Sequence, residues 1–255
     1  MMKNIKSIAV TGKGGTGKTV LATLLIRILS HQFPGHVLAI DADSAMSLPY
    51  TLGVPVVKTV GDLRNNVLGP QQLKRQLEHQ SSEDIIRNLV TTGPGFDLLA
   101  MGRPEAPGCF CVVNDLLKYG IEFLTEEYDI TIIDGEAGPE QLNRRVLSAI
   151  DVLLVVSDMS ARSLKTAAGI VDVARRRGEN GIQVQQAGLV LNRVRHDKAA
   201  EELVKNVGIE VYGCLPEDNQ INQYDREDRK LLDLPDDSPC LKEVQHILQK
   251  IFSDK

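Results

Sequence analysis

Gly12-Lys13-Gly14-Gly15-Thr16-Gly17-Lys18-Thr19 is the stretch on which the reading of this chain turns. Gly12, four intervening residues and Gly17-Lys18-Thr19 reproduce the Walker spacing of a phosphate-binding loop. The short apolar run Ser7–Thr11 before it reads as a strand, and Lys18 to Ser30 after it reads as a helix, which is the setting the motif needs. Glycines let the backbone curl until its amides face inward, and the helix N-terminus adds a favourable potential for anions. In that arrangement Lys18 reaches the β- and γ-phosphates and Thr19 ligates Mg²⁺. A glycine-rich turn that binds nothing is the bland alternative, and it leaves the agreement of spacing and context unexplained.

Outward from the loop, apolar β-type runs alternate with helical patterns: Val37–Ile40, Phe96–Met101, Ile130–Ile133, Val152–Ser157, Ala187–Leu191 and Glu210–Leu215. The runs are continuous rather than alternating apolar and polar, as strands covered by helices on both faces should be. The fold expected is three-layer α/β, with a mostly parallel sheet of about seven or eight strands between helices. Residues 1–255 read as a single domain, with an irregular helical insertion over 54–95 that carries helix-like pieces at Pro70–Gln80 and Glu83–Val90.

Composition narrows the function classes. Hydrophobic residues at 42% and charged residues at 25% are ordinary for a soluble globular chain, and no apolar run approaches the roughly 18 residues of a membrane helix. The first residues lack the apolar core and cleavage site of a signal peptide, so a cytoplasmic protein is expected. A net charge of −5, 4% aromatic residues and no Trp argue against nucleic acid as a partner. Four cysteines, none in a dense framework, fit a reducing compartment. Arg175-Arg176-Arg177 before Gly178 reads as a helix terminus rather than a DNA contact. The helical stripe Leu241, Val244, Ile247, Leu248, Ile251 and Phe252 reads as a face docked on the core rather than on a membrane.

Other positions carry candidate chemistry. Asp41-Ala42-Asp43-Ser44 follows the second strand, where parallel sheets place their ligands, and hydrolysis needs a group to orient the attacking water. Asp41 could lie nearer the metal; loop capping would explain both carboxylates equally well. Ile130–Ile133 ending in Asp134, then Gly135-Glu136-Ala137-Gly138, reads as a Walker B strand, with Asp134 in the Mg²⁺ shell and the Gly138 amide on the γ-phosphate. The alternative for Asp134 is a helix cap.

Pro107-Gly108-Cys109-Phe110-Cys111 supplies two soft thiolates suited to Zn²⁺, Ni²⁺, Cu⁺ or iron-sulfur clusters. A closed tetrahedral site takes four ligands, and a two-fold homodimer setting Cys109 and Cys111 against their symmetry mates would complete one. A chance pair of small hydrophobes, or a transient disulfide, remains the alternative.

Lys13, directly after the first glycine, resembles the deviant Walker motif of the family holding the MinD-type ATPases, the nitrogenase iron protein and the arsenite-pump ATPases. That resemblance implies a lysine reaching across a dimer to the partner's nucleotide, against a merely solvated loop lysine. It also implies Asp43 as the switch aspartate acting on water. Asn192, with Arg193, would read adenine, and Pro216 with Glu217 would meet the same base; as turn formers alone, these would mean little. The run Met101 to Asn114, with Asp134-Gly135-Glu136-Ala137-Gly138 and Asn192-Arg193-Val194-Arg195, is similar to the CooC-type ATPases that help insert nickel into carbon monoxide dehydrogenase. The likeness implies ATP or ADP with Mg²⁺ as cofactors, a homodimer formed on nucleotide or metal binding, and Ni²⁺ or Zn²⁺ at Cys109 and Cys111. It further implies a nickel-iron-sulfur client. Ser44, where many relatives have proline, and a proline-free Val155-Val156-Ser157-Asp158 depart from the pattern. An electron-transfer ATPase like the iron protein, and an ATP-switched positioning protein, are the rival readings.

Overall fold

The computed structural model describes residues 5–66, 81–102, 111–136, 149–176, 183–195, 202 and 208–253. In chain order it holds β1 (Ser7–Gly12), α1 (Lys18–Gln32), β2 (Val37–Asp41), α2 (Ser47–Leu52), α3 (Val60–Asn66) and α4 (Ser82–Arg87). There follow β3 (Thr91–Thr92), β4 (Asp97–Ala100), α5 (Cys111–Glu126), β5 (Ile130–Asp134), β6 (Ala149–Ser157) and α6 (Ala161–Arg175). The last are β7 (Gln183–Val194), β8 (Val211–Pro216), α7 (Asn219–Arg226), a 3₁₀ turn at Leu231–Asp233 and α8 (Pro239–Phe252).

The eight strands form one sheet in the order β3-β4-β2-β5-β1-β6-β7-β8, with only the β3–β4 pair antiparallel. Side chains of successive residues point to opposite faces. Ile8 and Val10 of β1 accordingly join α1 and α8 in one core, while Ala9 joins Ile121 of α5 and Val171 of α6 in the other. Each fully buried Ile or Leu in these layers contributes about 1.5–3 kcal/mol of burial free energy.

The strand order reverses about β1, with β5, β2 and β4 on one side and β6, β7 and β8 on the other. That is where open α/β sheets bind ligands, in the crevice beyond the carboxyl ends. Register puts Asp134 beside Val10 on one neighbour and beside Asp41 on the other, so the acidic strand ends lie next to the loop that leaves β1.

Two expectations are corrected. The tail of the 54–95 segment is part of the sheet: a turn in which Gly93 N–H donates to the Phe96 carbonyl at 2.8 Å returns β3 along β4, pairing Thr91 with Leu98. β7 begins four residues before the apolar run, and those four residues alternate exposed and half-buried, so they leave no continuous apolar signal. Glu83–Val90 resolves into the shorter α4, and Pro70–Gln80 lies outside the described residues. In α8, Leu241, Val244, Ile247, Leu248 and Ile251 are buried in the core, and no helix among the described residues is long and apolar enough to cross a membrane.

Candidate nucleotide site

The phosphate loop leaves β1 at Gly12, where φ is 145° and a Cβ would stand 2.3 Å from the Val156 carbonyl oxygen of β6. No side chain but hydrogen fits there. Thr16 closes the turn, its amide and hydroxyl both donating to the Lys13 carbonyl at 3.3 and 2.8 Å, which leaves Lys13 exposed. Gly17, with φ 96°, then caps α1 without a side-chain acceptor. The first amides of α1 are therefore not taken by a capping side chain, and the positive end of the helix dipole faces the loop. Lys18 is only 8% exposed, so its ammonium is held at the site rather than in solvent.

Asp134 ends β5 fully buried, and among the described residues neither carboxylate oxygen accepts a well-formed hydrogen bond. Burial pushes its pKa up to about 6, helped by the charge of Asp43, while the Thr19 hydroxyl and the Lys18 ammonium pull it down. Thr19 thus stands near this carboxylate without closing a well-formed hydrogen bond to it. Such an orphaned carboxylate normally demands a partner. Thr19 and Asp134 fit Mg²⁺, which takes few protein ligands and completes its shell with water and phosphate oxygens. Among the described residues no group of three or more His, Cys, Asp and Glu could cage a metal.

Asp41, paired in register with Asp134 at the end of the neighbouring strand, is the second buried acid here. Its two oxygens accept the Asp43 amide at 3.0 Å and the Leu48 amide at 3.1 Å, so it holds the loop into α2 together. Burial, then the neighbouring charge of Asp134, raises its pKa to about 7 despite those two amides. Asp43 itself is half-buried on this loop, with Oδ1 accepting the Ala45 amide at 2.9 Å. Hydrogen bonds join the loop to the end of β5: Ala42 N–H donates to the Asp134 carbonyl at 2.8 Å, and Ser44 N–H to the Glu136 side chain at Oε1, 3.1 Å. The Thr11 hydroxyl donates to the Glu136 carbonyl at 2.5 Å. The link through Glu136 was not legible in sequence, since nothing in Gly135-Glu136-Ala137 says where the carboxylate turns. Asp158, after β6, lies within range of the Lys13 charge; the Ser160 hydroxyl chiefly, and Lys13 to a lesser degree, hold its carboxyl below the usual range.

Beside Gly17 opens a cleft of about 250 Å³, lined by Asn192, Arg193, Pro216, Glu217 and Cys240 among others. The four positions assigned to a base from sequence are thus brought together, next to the phosphate loop. Cys240, not expected there, donates from Sγ to the Pro216 carbonyl at 3.2 Å, and burial pushes its thiol pKa up to about 12. Gly138 and Cys109 lie outside the described residues; of Cys111 only the backbone is described, as the first residue of α5.

A strand–loop–helix phosphate cradle beside a buried, unpartnered carboxylate defines a nucleotide-binding protein of the parallel α/β class. The chain belongs to the CobQ/CobB/MinD/ParA nucleotide-binding domain family, whose model matches residues 7–231. It is 37% identical to an uncharacterized ATP-binding protein of Methanocaldococcus jannaschii, over 97% of this chain and 99% of that one. It is 29% identical to the carbon monoxide dehydrogenase accessory protein CooC of Rhodospirillum rubrum, over 97% and 96% of the two chains. Its fold matches the septum site-determining protein MinD of Pyrococcus horikoshii OT3, solved with Mg-ADP, at a TM-score of 0.69 and 19% identity over 96% and 95%.

Proposed function

We propose that this chain is an Mg²⁺-dependent ATPase that acts, as one domain and in the cytoplasm, as a nickel insertion factor for a nickel-iron-sulfur enzyme such as carbon monoxide dehydrogenase. In this reading ATP lies with its phosphates on Gly12 to Thr19 and its base in the cleft of Asn192, Arg193, Pro216 and Glu217. Bound Mg²⁺ supplies charge neutralisation on the phosphates. Thr19 and Asp134 hold it, Lys18 balances the developing negative charge, the Gly138 amide meets the γ-phosphate, and Asp43 orients the attacking water. Lys13, exposed at the loop, reaches the nucleotide of a second copy, so turnover is tied to a homodimer.

Cys109 and Cys111 of the two copies hold the cargo, Ni²⁺ or Zn²⁺, between them. The observation that carries this reading is the continuity of α5 and β5. The helix begins at Cys111 and leads into the strand that ends at Asp134, so one helix–strand unit joins the cysteine segment to the nucleotide site. The 29% identity to CooC along nearly the whole chain supports the client class. Anaerobic titration with nickel and zinc, with and without ADP or ATP, read by mass and oligomeric state, tests it. Wild type should take one metal per dimer and Cys109→Ser/Cys111→Ser none; equal metal uptake and equal dimerisation by both would end the metal half of the proposal.

A further inference from the structure

We infer that Asn192 is a positioning residue for the phosphate loop, so that the cleft beside it and the loop form one hydrogen-bonded unit. This rests on the nucleotide reading above and goes beyond base recognition. A carboxamide has two N–H donors and two lone-pair sites. Asn192 Nδ2 donates to the Thr16 carbonyl at 2.7 Å, and Oδ1 accepts the Arg193 amide at 2.9 Å. One donor and one lone pair remain, and the side chain lines the cleft. A purine with a donor next to an acceptor on one edge can take both without releasing Thr16.

The backbone is shaped to keep the amide there. Pairing of β7 with β8 shifts register between Leu191 and Val194, and Arg193 adopts φ 55°, a left-handed conformation rare for its residue type. Such strain persists only where surroundings impose it. Its effect is to turn the Arg193 N–H onto the Asn192 side chain and so fix that side chain's orientation. On the other side, a Cβ at Gly17 would stand 2.1 Å from Asn192 Nδ2, so the loop itself is built around the amide. Thr16 is 2% exposed, and without Asn192 its carbonyl would lose this donor. Thr16 in turn fixes the Lys13 carbonyl, so the path runs from the cleft to the segment of the loop that carries Lys13.

Inorganic tripolyphosphate, which has no base, separates positioning from base reading. Wild type should bind it, and Asn192→Ala should bind it about tenfold more weakly, equivalent to about 1.4 kcal/mol, while its ligand-free form still unfolds cooperatively. If Asn192→Ala loses preference for ATP over GTP yet binds tripolyphosphate like wild type, Asn192 only reads the base and the inference is overturned. Wild type that ignores tripolyphosphate overturns the phosphate-site reading and the inference with it. Should Asn192→Ala fail to fold, wild type alone decides: saturating adenosine should tighten tripolyphosphate binding about fivefold, within the usual range of coupling between sites, and no change would contradict the unit.

Discussion

Asp134 and Asp218 are both buried aspartates at or just past the carboxyl end of a parallel strand, and their surroundings are opposite. Asp218 accepts the Gln220 amide at 2.9 Å and the Ser238 hydroxyl at 2.6 Å, capping α7 and holding the residue that caps α8. Among the described residues, Asp134 accepts no well-formed hydrogen bond at either carboxylate oxygen. A satisfied buried carboxylate holds a fold together, whereas an unsatisfied one raises the free energy of the empty protein and is retained where a ligand completes it. Asp41 stands between the two: its oxygens take two backbone amides, yet burial and Asp134 still raise its pKa.

The contrast can be broken in several ways. Lys18→Ala should have the largest effect, lowering ATP turnover about a hundredfold or more by removing the cation that balances charge developing in the transition state; a steady-state phosphate-release assay reads it. Next, Asp134→Asn should lower Mg²⁺-dependent turnover about a hundredfold without lowering the melting temperature at neutral pH. Asp218→Ala should do the reverse, losing about 2–4 kcal/mol of stability through two helix ends with turnover nearly intact in the folded fraction. If the two variants exchange these effects, the assignment of binding to one carboxylate and architecture to the other is wrong.

Acidity should sharpen the same contrast. Asp41 and Asp134, with pKa values near 7 and 6, keep protons in the folded, ligand-free chain at pH values where the unfolded chain has lost them. The folded state then binds more protons, so their contribution to stability is full below about pH 4, declines as pH rises and is lost by about pH 7. Urea midpoints across that range should show the decline, and Asp41→Asn should flatten its upper part. The smallest effect belongs to Glu136→Ala, which removes the carboxylate that accepts the Ser44 amide and should lower turnover about fivefold.

Much of the molecule was legible in the sequence because strands covered on both faces leave continuous apolar runs: five of the seven runs lie within strands of the sheet, and Phe96–Met101 and Glu210–Leu215 overrun theirs by a residue at one or both ends. The eighth strand, Thr91–Thr92, has only two residues and no run to show; its pairing comes from the turn before Phe96. At the site, the phosphate loop was legible because its chemistry is backbone geometry set by local glycines. The loop around Asp41 was not: only the fold reveals that its oxygens meet the amides of Asp43 and Leu48, leaving Asp134 as the unpartnered acid. Asn192 was legible as an amide at the end of a strand, but its bond to Thr16 spans 176 positions of sequence, and no local pattern encodes such a contact.

The buried Asp134 carboxylate is read here as the partner of a metal that arrives with the nucleotide. Calorimetric titration of ATP into wild type and Asp134→Asn, each with Mg²⁺ and with EDTA, tests it most directly. Wild type is expected to bind at least tenfold more tightly with Mg²⁺, and Asp134→Asn to lose most of that difference. Equal affinity of wild type in Mg²⁺ and EDTA would contradict the claim.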